Sequence, residues 1–112
     1  MGIVKVKDGV TFSTIAPGGF EILRVVTMVA KQFPNDLTIT SGTDGMHSGI
    51  SDPHHRGEAY DIRSQDLPLD VKNQVLALIQ KLLGPKFYAF LESPGTSNEH
   101  IHAQVAKGQT YP

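Results

Sequence analysis

Residues 58–91, EAYDIRSQDLPLDVKNQVLALIQKLLGPKFYAFL, decide the fold class of this chain. The first six residues, 58–63, predict a short strand because apolar and polar side chains partly alternate. A helix follows: an Asp and a Pro mark its start at 66–68, apolar residues recur at helical spacing, and a Gly-Pro pair ends it at 84–85. Residues 87–91 form an apolar run that predicts a second strand.

The rest of the chain adds strands and one more helix around this segment. The other expected elements are a weak strand at 3–7, a turn region that ends in Pro17-Gly18-Gly19, an amphipathic helix at 20–33, strands at 37–40 and 100–105, and a long loop at 41–57. The resulting order is β, α, β, loop, β, α, β, β. It predicts an α+β domain with a small mixed or antiparallel sheet and two main helices.

Length and composition narrow the class of protein. The 112 residues correspond to one domain, 1–112. The net charge of −1 leaves no basic excess, so we expect no general nucleic-acid binding. The absence of Cys excludes disulfides, thiolate zinc sites and Cys nucleophiles. The first residues do not resemble a signal peptide and no apolar run reaches the length of a membrane span, so we expect a soluble chain.

All five histidines fall in two short segments, 47–55 and 100–102. In the second segment, His100 and His102 are two residues apart in a strand pattern, which places both imidazoles on one face of the strand. Such a pair suits a divalent transition metal. The alternative is a pair of exposed polar residues on the solvent side of a sheet.

The first histidine segment supplies further candidate ligands. His54 and Asp61 are seven positions apart, and a helix would separate them by roughly 10 Å along its axis, too far to share one ion. Gly57 indicates a turn between them instead, because glycine permits backbone paths closed to other residues. The small side chain of Ala59 leaves room for an ion on the same face. We therefore expect His54 and Asp61 to converge.

These two motifs, HHRGEAYDIR at 54–63 and NEHIHAQV at 98–105, resemble those of the zinc DD-peptidase group. This group contains the D-Ala-D-Ala carboxypeptidases and dipeptidases and the phage L-alanyl-D-glutamate endolysins. The hedgehog signalling domain and the lysostaphin-type endopeptidases share its site plan. The H-x-x-G-x-A-x-D and H-x-H patterns occur in the family's order with a helix between them, and the resemblance covers roughly residues 37–105.

The resemblance implies a role for each matching residue. His54, Asp61 and His102 would bind Zn²⁺, and three protein ligands leave a position for water, as in catalytic zinc sites. His100 would contact the substrate or the reaction intermediate. Glu99, three residues before His102, would be the general base. Glu92, at the end of the preceding strand, is the alternative base.

Two positions depart from the family's pattern. Asp52 stands where a Ser is usual, two residues before the first ligand. Thr43-Asp44 stands where many members have an Arg that binds the substrate. The residues that we expect to contact the substrate instead are His47, Arg56 and Arg63.

The resemblance implies a hedgehog- or DD-peptidase-like fold and a zinc peptidase that hydrolyses peptidoglycan stem peptides at the cell wall. Both D-Ala-D-Ala and L-Ala-D-Glu bonds remain open as targets. A different class of function also remains open: a zinc-stabilised binding or virion-assembly domain without turnover.

Overall fold

The computed structural model describes residues 1–44 and 52–112, and these ranges contain two helices and one five-stranded sheet. The elements in chain order are β1 (Val4–Val6), α1 (Pro17–Ala30), β2 (Leu37–Ser41), β3 (Ala59–Arg63), α2 (Leu69–Leu83), β4 (Phe87–Glu92) and β5 (His100–Val105). The sheet is mixed, and the α+β prediction is confirmed.

The strands lie in the order β1-β2-β3-β5-β4. β1 and β2 are parallel, and α1 provides the crossover connection that a parallel pair requires. All other neighbours are antiparallel. β3 and β5 therefore lie side by side in the middle of the sheet although 36 residues separate their ends in the sequence, Arg63 and His100 being directly paired. This pairing brings the two histidine-containing motifs together.

Both helices cover the same face of the sheet. One hydrophobic cluster joins the buried face of α1 to α2 and to alternate residues of the strands, among them Ile39, Tyr60, Ile62 and Ile101. Because successive side chains of a strand point to opposite faces, the intervening residues lie on the open face, which neither α1 nor α2 covers. Polar residues occupy that open face near its centre, including Asp61 of β3 and His102 of β5.

The start of α1 differs from the prediction. The helix begins at Pro17, so Pro17-Gly18-Gly19 forms its first turn and not the end of a turn region. Pro suits the first helical position because its missing N–H needs no partner there. Gly19 is buried against the carbonyl of Gly57, and a Cβ on Gly19 would clash with that oxygen. Close packing against the turn before β3 therefore explains Gly19, whereas Gly18 lies against the side chain of Val105. Sequence patterns alone assign both glycines to a turn.

Neither helix in the described ranges combines the length and apolar content that crossing a bilayer requires.

Candidate metal centre

Three side chains from the two motifs converge on the open face of the sheet. The His54 Nε2 atom lies 3.4 Å from Asp61 Oδ1, and His102 Nδ1 lies 3.0 Å from the same oxygen. The two imidazole rings meet edge to face, with 5.2 Å between their centroids. All three donor atoms lie within 4.8 Å of one another, so the group can hold a metal ion. The structure thus brings together His54, Asp61 and His102.

The backbone fixes these positions in two ways. Asp61 and His102 are directly paired in the antiparallel register of β3 and β5 and share the open face. His54 belongs to the turn before β3, where Gly57 has a φ of +69° and donates its N–H to the carbonyl of His54. A Cβ at Gly57 would also clash with the carbonyl of Thr14. The expected role of Gly57 in a turn is confirmed.

Asp52 stabilises the same turn. Its Oδ1 accepts the backbone N–H of His54 at 2.8 Å, two residues further along. Asp and Ser side chains both make this local hydrogen bond to the backbone two residues on. Asp52 therefore helps to fix the backbone of His54, the first candidate ligand.

Hydrogen bonds on their outer nitrogens orient both imidazoles. His54 Nδ1 lies 3.0 Å from the carbonyl oxygen of Gly42, which can only accept, so Nδ1 donates and Nε2 faces Asp61 without a proton in the neutral ring. His102 Nε2 lies 2.7 Å from Gln104 Oε1, and the amide of Gln104 donates to the carbonyl of Val105. Metal-binding histidines characteristically donate their second ring N–H in this way.

In the metal-free protein, Asp61 and His102 shift one another's protonation. Burial alone would raise the pKa of the Asp61 carboxyl, but the hydrogen bonds that protonated His102 and His54 rings donate to it outweigh burial and hold this pKa well below its usual range. Burial lowers the pKa of His102, whereas the hydrogen bond of its protonated ring to Asp61 raises it, and the net shift is upward. Asp61 is thus ionised at neutral pH, and a proton on His102 would compete with a metal ion at this candidate site.

His100 and Glu92 stand beside the three candidate ligands. The two residues are directly paired across β4 and β5, and His100 Nε2 lies 2.6 Å from Glu92 Oε1 and 3.6 Å from Asp61 Oδ1. His100 Nδ1 donates to the carbonyl of Asn98 at 2.7 Å. Donor atoms of Asp61, Glu92 and His100 also lie within 4.8 Å of one another.

An open cleft of about 410 Å³ contains both groups. The side chains that line it come from the turn at 52–54 and from β3, β4 and β5 with the loop before it. His100 and Glu92 are partly exposed, whereas His54 and His102 are buried. A molecule that enters the cleft therefore meets a carboxylate and an imidazole beside a metal-binding group.

Glu99 lies outside this cleft. Its carboxylate is buried, where Lys72 Nζ at 2.8 Å and Ser64 Oγ at 2.7 Å contact one oxygen and the backbone N–H of Gly95 contacts the other at 3.1 Å. These contacts, of which the one with Lys72 has the largest effect, lower the pKa of Glu99 to about 2. Glu99 lies in the turn before β5, where its N–H donates to the carbonyl of Thr96, and the contacts of its carboxylate hold it outside the cleft. The resemblance implies Glu99 as the general base with Glu92 as the alternative, and this geometry favours Glu92.

The three residues expected to contact the substrate lie in different places. Arg56 is exposed and pairs with Glu58, with 2.8 Å between Nε and Oε1, in a pocket next to the cleft. Arg63 is half-buried at the end of β3, directly opposite His100. His47 lies outside the described residues.

Sequence reasoning missed two supports of the site. The contact of Gln104 with His102 could have been predicted, because Gln104 follows His102 by two residues and therefore lies on the same face of the strand. The carbonyl of Gly42 could not be predicted from the sequence, because every residue has a backbone carbonyl and only the fold brings this one to His54.

Comparison of the chain with protein-family models, with curated proteins and with solved structures gave no match.

Proposed function

We propose that this protein is a zinc-dependent peptidase that hydrolyses peptidoglycan stem peptides at the cell wall. One observation carries the proposal: His54, Asp61 and His102 converge at an open cleft in which Glu92 and His100 stand directly beside them. Two imidazoles and one carboxylate, with space left for water, are the ligand set of many catalytic zinc sites.

The residues fit zinc in chemistry and in spacing. Ligands about 2.1 Å from a tetrahedral ion lie roughly 3.4 Å apart. The distances from Asp61 Oδ1 to the two imidazole nitrogens are 3.4 and 3.0 Å, so small movements suffice to admit the ion. A zinc ion there would act as a Lewis acid on the scissile carbonyl and lower the pKa of water toward about 7.

The protein's own residues supply the proton transfers. Glu92 Oε1 faces the cleft and accepts a proton from the attacking water, then gives it to the leaving amine. His100 holds Glu92 through the 2.6 Å contact, and its ring is itself fixed by the carbonyl of Asn98. When Glu92 turns from His100 to the attacking water, the Nε2–H of His100 becomes free to donate to the oxygen that becomes negative in the tetrahedral intermediate.

The substrate class rests on the resemblance to the zinc DD-peptidase group. The H-x-x-G-x-A-x-D and H-x-H motifs supply the three candidate ligands, and the hedgehog- or DD-peptidase-like fold is part of the same proposal. The cleft of about 410 Å³ at the candidate metal centre offers space for part of a peptide, which supports a peptide substrate. D-Ala-D-Ala and L-Ala-D-Glu bonds are both candidates.

A pair of variants tests the proposal. We expect the zinc-loaded protein to release fragments from purified murein, detected by mass spectrometry, and a chelator to abolish the release. Glu92→Gln should lower the rate by at least about 100-fold while zinc content stays at one per chain. Glu99→Gln, the same chemical change outside the cleft, should keep most of the activity of the folded protein.

The same measurements identify the alternative function. A wild-type protein that binds one zinc ion and never cleaves murein would be a zinc-stabilised binding or virion-assembly domain. Loss of activity in Glu99→Gln with retention in Glu92→Gln would contradict the assignment of the base.

A further inference from the structure

We propose that Lys7 and Arg63 form an anion-binding subsite beside the candidate metal centre, and that this subsite binds the C-terminal carboxylate of the substrate. The proposal rests on the peptidase function above and deepens it. It selects an exopeptidase that cuts one or two residues from the end of a peptide.

The subsite is a cavity of about 200 Å³ that continues the metal-centre cleft. Lys7, Thr40 and Arg63 line the cavity on one side, and Asn98 and His100 line both the cavity and the cleft. Arg63 is directly paired with His100 across β3 and β5, and both side chains lie on the open face of the sheet. A peptide can therefore extend from the metal centre to Arg63 without leaving the surface.

The two cations of this cavity have no acidic partner. Throughout residues 1–44 and 52–112, no carboxylate lies within 4.0 Å of Lys7 or Arg63, whereas Lys5 pairs with Asp36 at 3.1 Å. Arg63 is nevertheless half-buried at the end of a central strand. A partly desolvated guanidinium without a counter-ion attracts an anion.

The one carboxylate in the cavity does not cancel this positive charge. Glu99 lines the cavity, but Lys72 neutralises it, and hydrogen bonds from Ser64 and Gly95 occupy both of its oxygens. Two positive charges, from Lys7 and Arg63, remain uncompensated. The guanidinium fork of Arg63 matches a carboxylate in two parallel hydrogen bonds, which favours a carboxylate over a more diffuse anion.

Spacing along the strand connects the subsite to the bond that is cut. Arg63 follows Asp61 by two residues, or about 6.6 Å along a strand. An extended peptide spans about 3.3–3.6 Å per residue. A carboxylate held at Arg63 thus lies one or two residues from a peptide bond placed over Asp61, and a chain end meets this requirement.

Binding of a matched pair of peptides tests the subsite. The probes are N-acetyl-D-alanyl-D-alanine and its C-terminal amide, titrated by NMR into metal-free wild-type protein and into zinc-loaded Glu92→Gln, which does not cleave them under the proposed function. We expect both proteins to bind the acid about tenfold more tightly than the amide. Lys7→Gln and Arg63→Gln should each remove most of this preference. Lys81→Gln, which removes an exposed cation from α2, should keep it.

Each failure has a separate signature. Equal binding of acid and amide by wild-type protein, no binding of either, or an unchanged preference in both subsite variants would overturn the subsite. Lys7 is exposed, so its variant remains informative if Arg63→Gln does not fold. If the carboxylate preference holds while murein is never cleaved, the subsite stands and the peptidase function fails. If murein is cleaved without any carboxylate preference, the peptidase function stands and the subsite fails.

Discussion

Asp61 and His102 face each other across β3 and β5, with 3.0 Å between Asp61 Oδ1 and His102 Nδ1. This contact links the two motifs through residues that lie 41 positions apart in the chain. A register shift of one residue would turn one of the two side chains to the helix-covered face. The strand pairing that forms the sheet is therefore also what assembles the candidate metal centre.

Gln104 should matter for metal affinity although it is not a ligand. Its Oε1 accepts the Nε2–H of His102 and thereby keeps Nδ1 available for the metal. We expect Gln104→Ala to weaken zinc binding by about 10–100-fold, measured by competition with a chromophoric chelator. Gln109→Ala, an exposed glutamine on the same segment, should bind zinc like wild type. Equal affinities in the two variants would argue against this role.

Gly57 should be the most sensitive glycine at the site. Its φ of +69° disfavours any side chain, and a Cβ would also clash with the carbonyl of Thr14. Gly84 has a similar φ of +80° with open space around it. We expect Gly84→Ala to lower the free energy of unfolding by about 1 kcal/mol, and Gly57→Ala by more than about 2 kcal/mol. Urea unfolding of both variants gives the comparison, and equal losses would contradict the packing at Gly57.

The increase in Tm that zinc produces should depend on pH. The folded-state pKa of His102 is raised above its ordinary value of 6.5, so protonation stabilises the metal-free protein below pH 6.5 and this contribution disappears as pH rises through the folded-state pKa. Zinc binding requires the unprotonated ring. We therefore expect zinc to raise the Tm more at pH 8 than at pH 6. A shift that is independent of pH, or larger at pH 6, would contradict the involvement of His102.

Glu99 should contribute to acid stability, not to turnover. Its pKa is lowered from 4.5 to about 2, chiefly by Lys72, so its stabilising effect is complete above pH 4.5 and is lost as pH falls toward 2. We expect Glu99→Gln to lower the urea midpoint at pH 7 and to approach wild type near pH 2. Glu21→Gln, which breaks an exposed pair with Arg24, should have a smaller effect at pH 7. A Glu99→Gln deficit that does not change with pH would show that the ionised form is not what stabilises the fold.

Local patterns in the sequence predicted much of the site because its ligands lie in two short motifs. The H-x-H pattern set a shared face for His100 and His102, and Gly57 marked the turn that presents His54. Glu99 lies at the end of the loop before β5, as expected, but local patterns could not show where its carboxylate points. The structure turns it toward Lys72 of α2, a contact that only the packing of the helix against the sheet determines.

Local sequence patterns also could not predict the first turn of α1. Two consecutive glycines disfavour a helix by propensity. Here Gly19 allows the helix to approach the turn at Gly57 closely and Gly18 allows it to approach Val105, so tertiary packing outweighs the local preference. The contact at Gly57 joins α1 to the turn that carries His54.

The proposed peptidase function depends most on one zinc ion bound by His54, Asp61 and His102. Anomalous scattering from crystals of the zinc-loaded protein, recorded on both sides of the zinc edge, locates that ion directly. We expect one peak at about 2.0–2.2 Å from His54 Nε2, Asp61 Oδ1 and His102 Nδ1. No zinc peak at these three atoms, or a peak held by Glu92 and His100 alone, would contradict it.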